Sequence, residues 1–169
     1  ERAPRLHEPE LGGGAILDLG IYPISLAARL FGAPRQIAAR GILTDRGVDE
    51  NVGMTFTYAD GAVAALQTGM TLPGPNRASI VGDGGRIDLE PVWYTQTRFS
   101  RFDADGALVE RYEEAIPGRG MQFQALEVER CIRSGETSSP IMPIAETIEI
   151  MEAMDEVRRQ LGVVYPHER

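Results

Sequence analysis

The sequence predicts an α+β domain built on an open, mainly antiparallel β-sheet with helices packed on one face. Three observations lead there: an apolar helical pattern near the start, short period-two runs through the middle, and two amphipathic helical patterns at the end. Strand and helix patterns do not alternate, so the chain has no room for a dinucleotide-binding Rossmann fold.

The opening pattern runs from Gly12 to Phe31. Three glycines are followed by Ile16, Leu17, Leu19, Ile21, Ile24, Leu26, Ala27, Leu30 and Phe31, dense enough for a largely buried helix that Gly32 and Pro34 end. Pro23 lacks an N–H and crowds the carbonyl of Leu19, which predicts a kink or break near Tyr22. Strands follow at 35–44, 51–59, 62–71, 78–82, 86–90, 96–103 and 107–113, separated by Gly, Asp and Asn. Asp60-Gly61 marks a hairpin between Tyr58 and Ala62, and Gly82-Asp83-Gly84-Gly85 reads as a second tight turn. Residues 120–134 and 143–161 form the closing helices, with Gly135 and Gly162 as stops.

With 169 residues and 43% hydrophobic composition, the chain can bury one substantial core. Acidic residues outnumber basic ones 25 to 17 and no basic run occurs, which argues against a nucleic-acid partner. No uninterrupted apolar stretch approaches the roughly 18 to 20 residues of a spanning helix, so no membrane association is expected. The lone Cys131 points to a cytoplasmic protein and, by itself, to a small buried side chain. All 17 basic residues are Arg, so any lysine chemistry must come from outside this chain. Glu1 in place of Met fits a fragment.

Chemistry has few candidates. Asp18 and Tyr22 are four residues apart, which puts a carboxylate and a phenol one helical turn apart. Such a pair can orient a substrate hydroxyl and exchange its proton, given something that lowers the phenol pKa from its model value of about 10. The same residues also suit a helix-start acid and a packed aromatic. Asp49, Glu50 and Asn51 form a polar cluster that is either a solvated turn or a substrate contact. Val92-Trp93-Tyr94 either lines a pocket or packs. Gly12-Gly13-Gly14 lacks the spacing of a nucleotide fingerprint. Ala15 to Gly20 resembles the first motif of S-adenosylmethionine methyltransferases, but Ile21-Tyr22-Pro23 stands where further glycine belongs. His7 and His167 are terminal, and no metal-ligand spacing occurs, so no metal site is expected.

Several segments, in order, resemble the C-terminal domain of the Gfo/Idh/MocA oxidoreductase family. Gly12-Gly13-Gly14-Ala15-Ile16-Leu17-Asp18-Leu19-Gly20-Ile21-Tyr22 is similar to its G-G-G-x-x-x-D-x-G-x-[HY] signature. Gly47 to Val52 resembles the turn into its second strand, Gly120 to Pro143 its penultimate helix and following loop, and Met154 to Arg158 its last helix. Tyr at the final signature position resembles the dihydrodiol dehydrogenase, glucose-fructose oxidoreductase and xylose dehydrogenase branch.

The resemblance implies the C-terminal α/β fold of the glyceraldehyde-3-phosphate-dehydrogenase-like type over residues 12–169, with 1–11 the remnant of an interdomain segment and the nucleotide-binding domain absent. It implies Tyr22 and Asp18 as catalytic residues, with Asp49, Glu50 and Asn51 expected at the substrate. It further implies hydride transfer between NAD or NADP, bound mainly by the missing domain, and a sugar, polyol or trans-dihydrodiol. A lysine of that domain would lower the phenol pKa. Pairing into a homodimer or higher oligomer through the sheet face is also implied. A non-enzymatic oligomerisation or sensor domain and a methyltransferase stand as alternatives.

Overall fold

The computed structural model describes residues 4–95, 98–116, 118 and 120–168. Its helices are α1 (Ile21–Phe31), α2 (Met121–Arg133) and α3 (Ile144–Leu161). Its strands are β1 (Gln36–Leu43), β2 (Asp49–Thr57), β3 (Val63–Gly69), β4 (Ala78–Gly82), β5 (Gly85–Leu89), β6 (Arg98–Phe102) and β7 (Leu108–Glu113). Residues 96 and 97, the expected start of the sixth strand, lie outside the described residues, as do residues 1–3 of the expected interdomain remnant.

The α+β class and the antiparallel pairing hold, but the strands divide between two open sheets. One has the order β1-β2-β3 and the other β4-β5-β6-β7, every neighbour antiparallel. The break falls at Pro73 and Gly74, where two compact units meet in sequence. Residues up to Pro73 and from Pro140 onward form the first, and Gly74–Ser139 the second. Both expected tight turns form. Tyr58 N–H donates to Ala62 O at 3.0 Å across Asp60-Gly61, and Gly82 pairs with Gly85 between β4 and β5. In the second unit Trp93 and Tyr94 pack edge to face at 5.6 Å, and the Asn76 amide donates to the Tyr94 hydroxyl.

In the first unit, alternation along β2 sends Val52, Met54 and Phe56 to one side of the sheet. They meet Ile24 and Ala27 of α1 and Ile150, Ala153, Met154 and Val157 of α3 in one core. Each large apolar side chain sealed there contributes about 1.5 to 3 kcal/mol of transfer free energy.

The segment Pro9–Phe31 corrects one expectation. Its 23 residues are long and apolar enough by length and composition to cross a membrane, although residues 12–14 within it form a loop and not helix. Asp18, Arg29 and the glycines interrupt the apolar run in sequence without preventing that. In this fold its Ile16, Ile24 and Ala27 are packed into the core. The winding also changes along it. Ile16–Gly20 is a π turn and α1 begins at Ile21, two residues before Pro23, so the expected irregularity near Tyr22 takes the form of a switch in helix type.

The free edge of β1 is closed by a side chain. Ala39 N–H and Ile37 C=O point away from β2, and the Gln160 amide of α3 meets both, accepting at 2.8 Å and donating at 2.7 Å. Glu156 accepts from the same amide nitrogen and is bonded in turn by Arg159. Gln160→Leu should therefore lower the unfolding free energy by about 1 to 3 kcal/mol, because it strands both backbone groups. Urea denaturation with an unchanged m-value would read this directly.

Candidate functional site

The signature loop is shaped by close approaches that side chains would prevent. Gly14 N–H donates to Leu6 O at 2.8 Å and Gly13 N–H to Glu8 O at 3.0 Å. A Cβ on Gly13 would stand 2.6 Å from Leu6 O, and one on Gly14, whose φ is +113°, would strike the Asp49 carboxylate. Farther on, buried Gly20 lies against Thr68 of β3 and Ile16. The signature glycines thus press the loop and the π turn into the first unit.

The N–H groups of Gly12, Gly13 and Gly14 are already donated to the Pro9, Glu8 and Leu6 carbonyls, so the loop offers no row of free N–H groups to a phosphate. Nor do Ala15 to Gly20 form the strand and loop that a methyltransferase motif requires, since Ile16 to Gly20 are helical. Among the described residues, no three His, Cys, Asp or Glu side chains are grouped to hold a metal ion.

Asp18 and Tyr22 face outward from the π turn and the first turn of α1. The Asp18 side chain is 27% exposed and Tyr22 39% exposed. Arg5, itself 55% exposed, binds the Asp18 carboxylate through its guanidinium. Arg5 was not legible as a site residue, since it is separated from Asp18 by 13 positions in a segment with no periodic signal.

Asp49 is placed differently from the substrate contact expected of it. It has no accessible surface, and its Oδ2 accepts from the Ile16 N–H at 2.7 Å, so it serves the loop and faces no solvent. Its Oδ1 is buried without a hydrogen-bond partner among the described residues. Burial raises its carboxyl above the usual carboxylate range, while N–H groups of Ile16, Asp49 and Ala15 and the Arg158 charge oppose that rise. Of its two neighbours, half-buried Asn51 donates to Thr71 at 3.0 Å, and half-buried Glu50 accepts from Met70 N–H through its backbone.

A C-terminal layer backs the loop. The Tyr165 hydroxyl donates to Gly13 O at 2.6 Å, and burial followed by the Asp49 charge pushes its phenol up to about 12. The Arg158 guanidinium lies 4.5 Å over the Tyr165 ring and is bonded by Asp155 and Glu168. No sequence pattern singled out Tyr165, which follows the last helix by four residues and reaches back 152 positions.

Two outcomes follow. Gly14→Ala should cost about 1 to 3 kcal/mol for the backbone conformation alone, more with the Asp49 overlap, seen as a lowered thermal midpoint. The second concerns pH. A raised carboxyl binds its proton more tightly in the native than in the unfolded chain, so its contribution to stability falls as pH rises from the model value of 3.8 through the raised value. Asp49→Asn removes that titration. The wild-type minus variant unfolding free energy should therefore decline in urea titrations as pH rises above the model carboxylate value, and parallel profiles would contradict the assignment.

The family model for the GFO/IDH/MocA C-terminal domain matches residues 1–88. Trans-1,2-dihydrobenzene-1,2-diol dehydrogenase of Xenopus tropicalis is 32% identical over 173 residues, covering 98% of this chain and 52% of that protein. The Danio rerio protein of the same name is 34% identical over 176 residues, covering 96% and 50%. The chain thus spans about half the length of these relatives. Among solved structures, an aldose-aldose oxidoreductase from Caulobacter crescentus complexed with glycerol superposes with a TM-score of 0.78 at 21% identity, covering 94% of this chain and 48% of that one. A 3-ketoreductase from Actinomadura kijaniata in complex with NADP and TDP-benzene gives 0.74 at 23%, covering 95% and 50%. The structural likenesses establish the fold, and the family match over the signature loop establishes the lineage: the chain belongs to the GFO/IDH/MocA C-terminal domain family.

Proposed function

We propose that this chain is the substrate-side domain of an NAD(P)-dependent oxidoreductase that interconverts a hydroxyl and a carbonyl on a sugar, polyol or trans-dihydrodiol. The observation that carries this reading is the pairing of outward-facing Asp18 and Tyr22, one turn apart, on the family's signature segment. The dihydrodiol dehydrogenases, the aldose-aldose oxidoreductase and the NADP-bound ketoreductase supply the substrate and cofactor classes.

The N–H groups of the signature loop are bonded to its own carbonyls, and by the family resemblance the dinucleotide phosphates are held by the nucleotide-binding half. When bound, the nicotinamide accepts or supplies the hydride. In the oxidising direction the Tyr22 phenolate oxygen takes the substrate hydroxyl proton as the neighbouring C–H electron pair departs and the C=O forms. In reduction the Tyr22 hydroxyl returns that proton to the carbonyl oxygen. The Asp18 carboxylate accepts a hydrogen bond from an adjacent substrate hydroxyl, and Arg5 holds it in place. By the family resemblance, the cation that favours the phenolate is a lysine of the nucleotide-binding half, a residue type this chain lacks.

Subunit pairing fits the exposed face of the first sheet, where Ala38, Thr55 and Ala65 present small side chains.

Joined to a nucleotide-binding half, Tyr22→Phe should lose about 10²- to 10⁴-fold in kcat with NADP and an aldose or trans-dihydrodiol, since it removes only the proton-transfer oxygen. Turnover close to wild type would sink the role given to Tyr22.

A further inference from the structure

The buried tie beneath the signature loop deepens this reading and rests on the assignment of Asp18 and Tyr22 to the substrate. We propose that Asp49 is a positioning residue, supported by Tyr165, which fixes where the turn bearing Asp18 and Tyr22 begins without touching substrate.

The geometry suits Asp49 to this job. Ile16, whose N–H it accepts, is the first residue of the π turn, so the bond anchors the helical run Ile16–Phe31 at its start. A carboxylate at that end also faces the positive pole of the helix dipole. Asp18 follows two residues later and Tyr22 six, a distance too short for the chain to lose the orientation set at Ile16. Gly14 makes the approach possible, since any Cβ there would overlap the carboxylate.

The opposite side of the loop is held separately. Tyr165 donates to Gly13 O, and its ring is fixed under the Arg158 guanidinium, which Glu168 and Asp155 bind. The loop is therefore bonded through an N–H just beyond it and a C=O within it. Asp49 leaves Oδ1 without a hydrogen-bond partner among the described residues, which carries a cost in stability. A fixed origin for the Asp18 and Tyr22 side chains accounts for keeping it, because hydride and proton transfers lose rate steeply with small displacements.

The test uses the protein with both halves. In hydrogen exchange read by mass spectrometry, Asp49→Ala should raise exchange at Ile16 about tenfold or more while peptides of β2 and β3 keep their rates. Asp49→Asn should restore most of the protection, because the amide oxygen still accepts from Ile16. In turnover, Asp49→Ala should lower kcat about tenfold or more with KM changed less than about threefold, and Asp49→Asn should recover most of kcat. Tyr165→Phe removes only the bond to Gly13. It should move kcat and Ile16 exchange in the same direction by a smaller factor, and it decides the matter if Asp49→Ala does not fold. Unchanged exchange at Ile16, or unchanged kcat in a folded Asp49→Ala or Tyr165→Phe protein, overturns the positioning role. Unchanged kcat in Tyr22→Phe overturns the functional reading instead and leaves the exchange result standing.

Discussion

One buried carboxylate organises the first unit. Asp49 sits at the start of β2 with no accessible surface, and through Ile16 it joins the three-stranded sheet to the helical segment that lies over it. A charge in that position is expensive to desolvate and is held by N–H donors and by the Arg158 guanidinium. The signature glycines follow from it. Gly14 must lack a side chain because the carboxylate occupies that space, and the tight backbone at Gly13 leaves its carbonyl to be met by Tyr165. A motif that looks in sequence like a flexible entry to a helix is, in three dimensions, a set of clearances cut around Asp49.

The outward side of the same segment is built differently. Asp18 and Tyr22 keep partial exposure while Ile16, Ile24 and Ala27 anchor the segment in the core. The switch from π to α winding at Ile21 separates the two jobs, placing the irregular turn where the polar pair stands and regular helix where packing is needed. Pro23 is the third residue of α1, just past the switch in winding, so the kink expected at it coincides with the change from π to α helix.

Much of this was legible from local pattern. Strand boundaries fell within a few residues, the Asp60-Gly61 turn formed where its chemistry demanded, and the closing helices ended at Gly135 and Gly162. Local chemistry governs those features, so local residues report them. The division into two sheets was not legible, because strand pairing is decided by which edges meet and no period records that. Asp49 was readable as polar but not as buried, since its partner lies 33 positions away. Arg5 and Tyr165 carried no local signal, although both bind the signature segment.

The hydroxyl of Tyr165 reaches across almost the whole chain to Gly13. A single hydrogen bond thus joins two positions 152 residues apart, and closing so long a stretch of chain costs entropy before the bond rewards it. The loop takes its final shape only once the segment after α3 has packed against it, so the turn carrying Asp18 and Tyr22 is completed by one of the most non-local contacts in its unit.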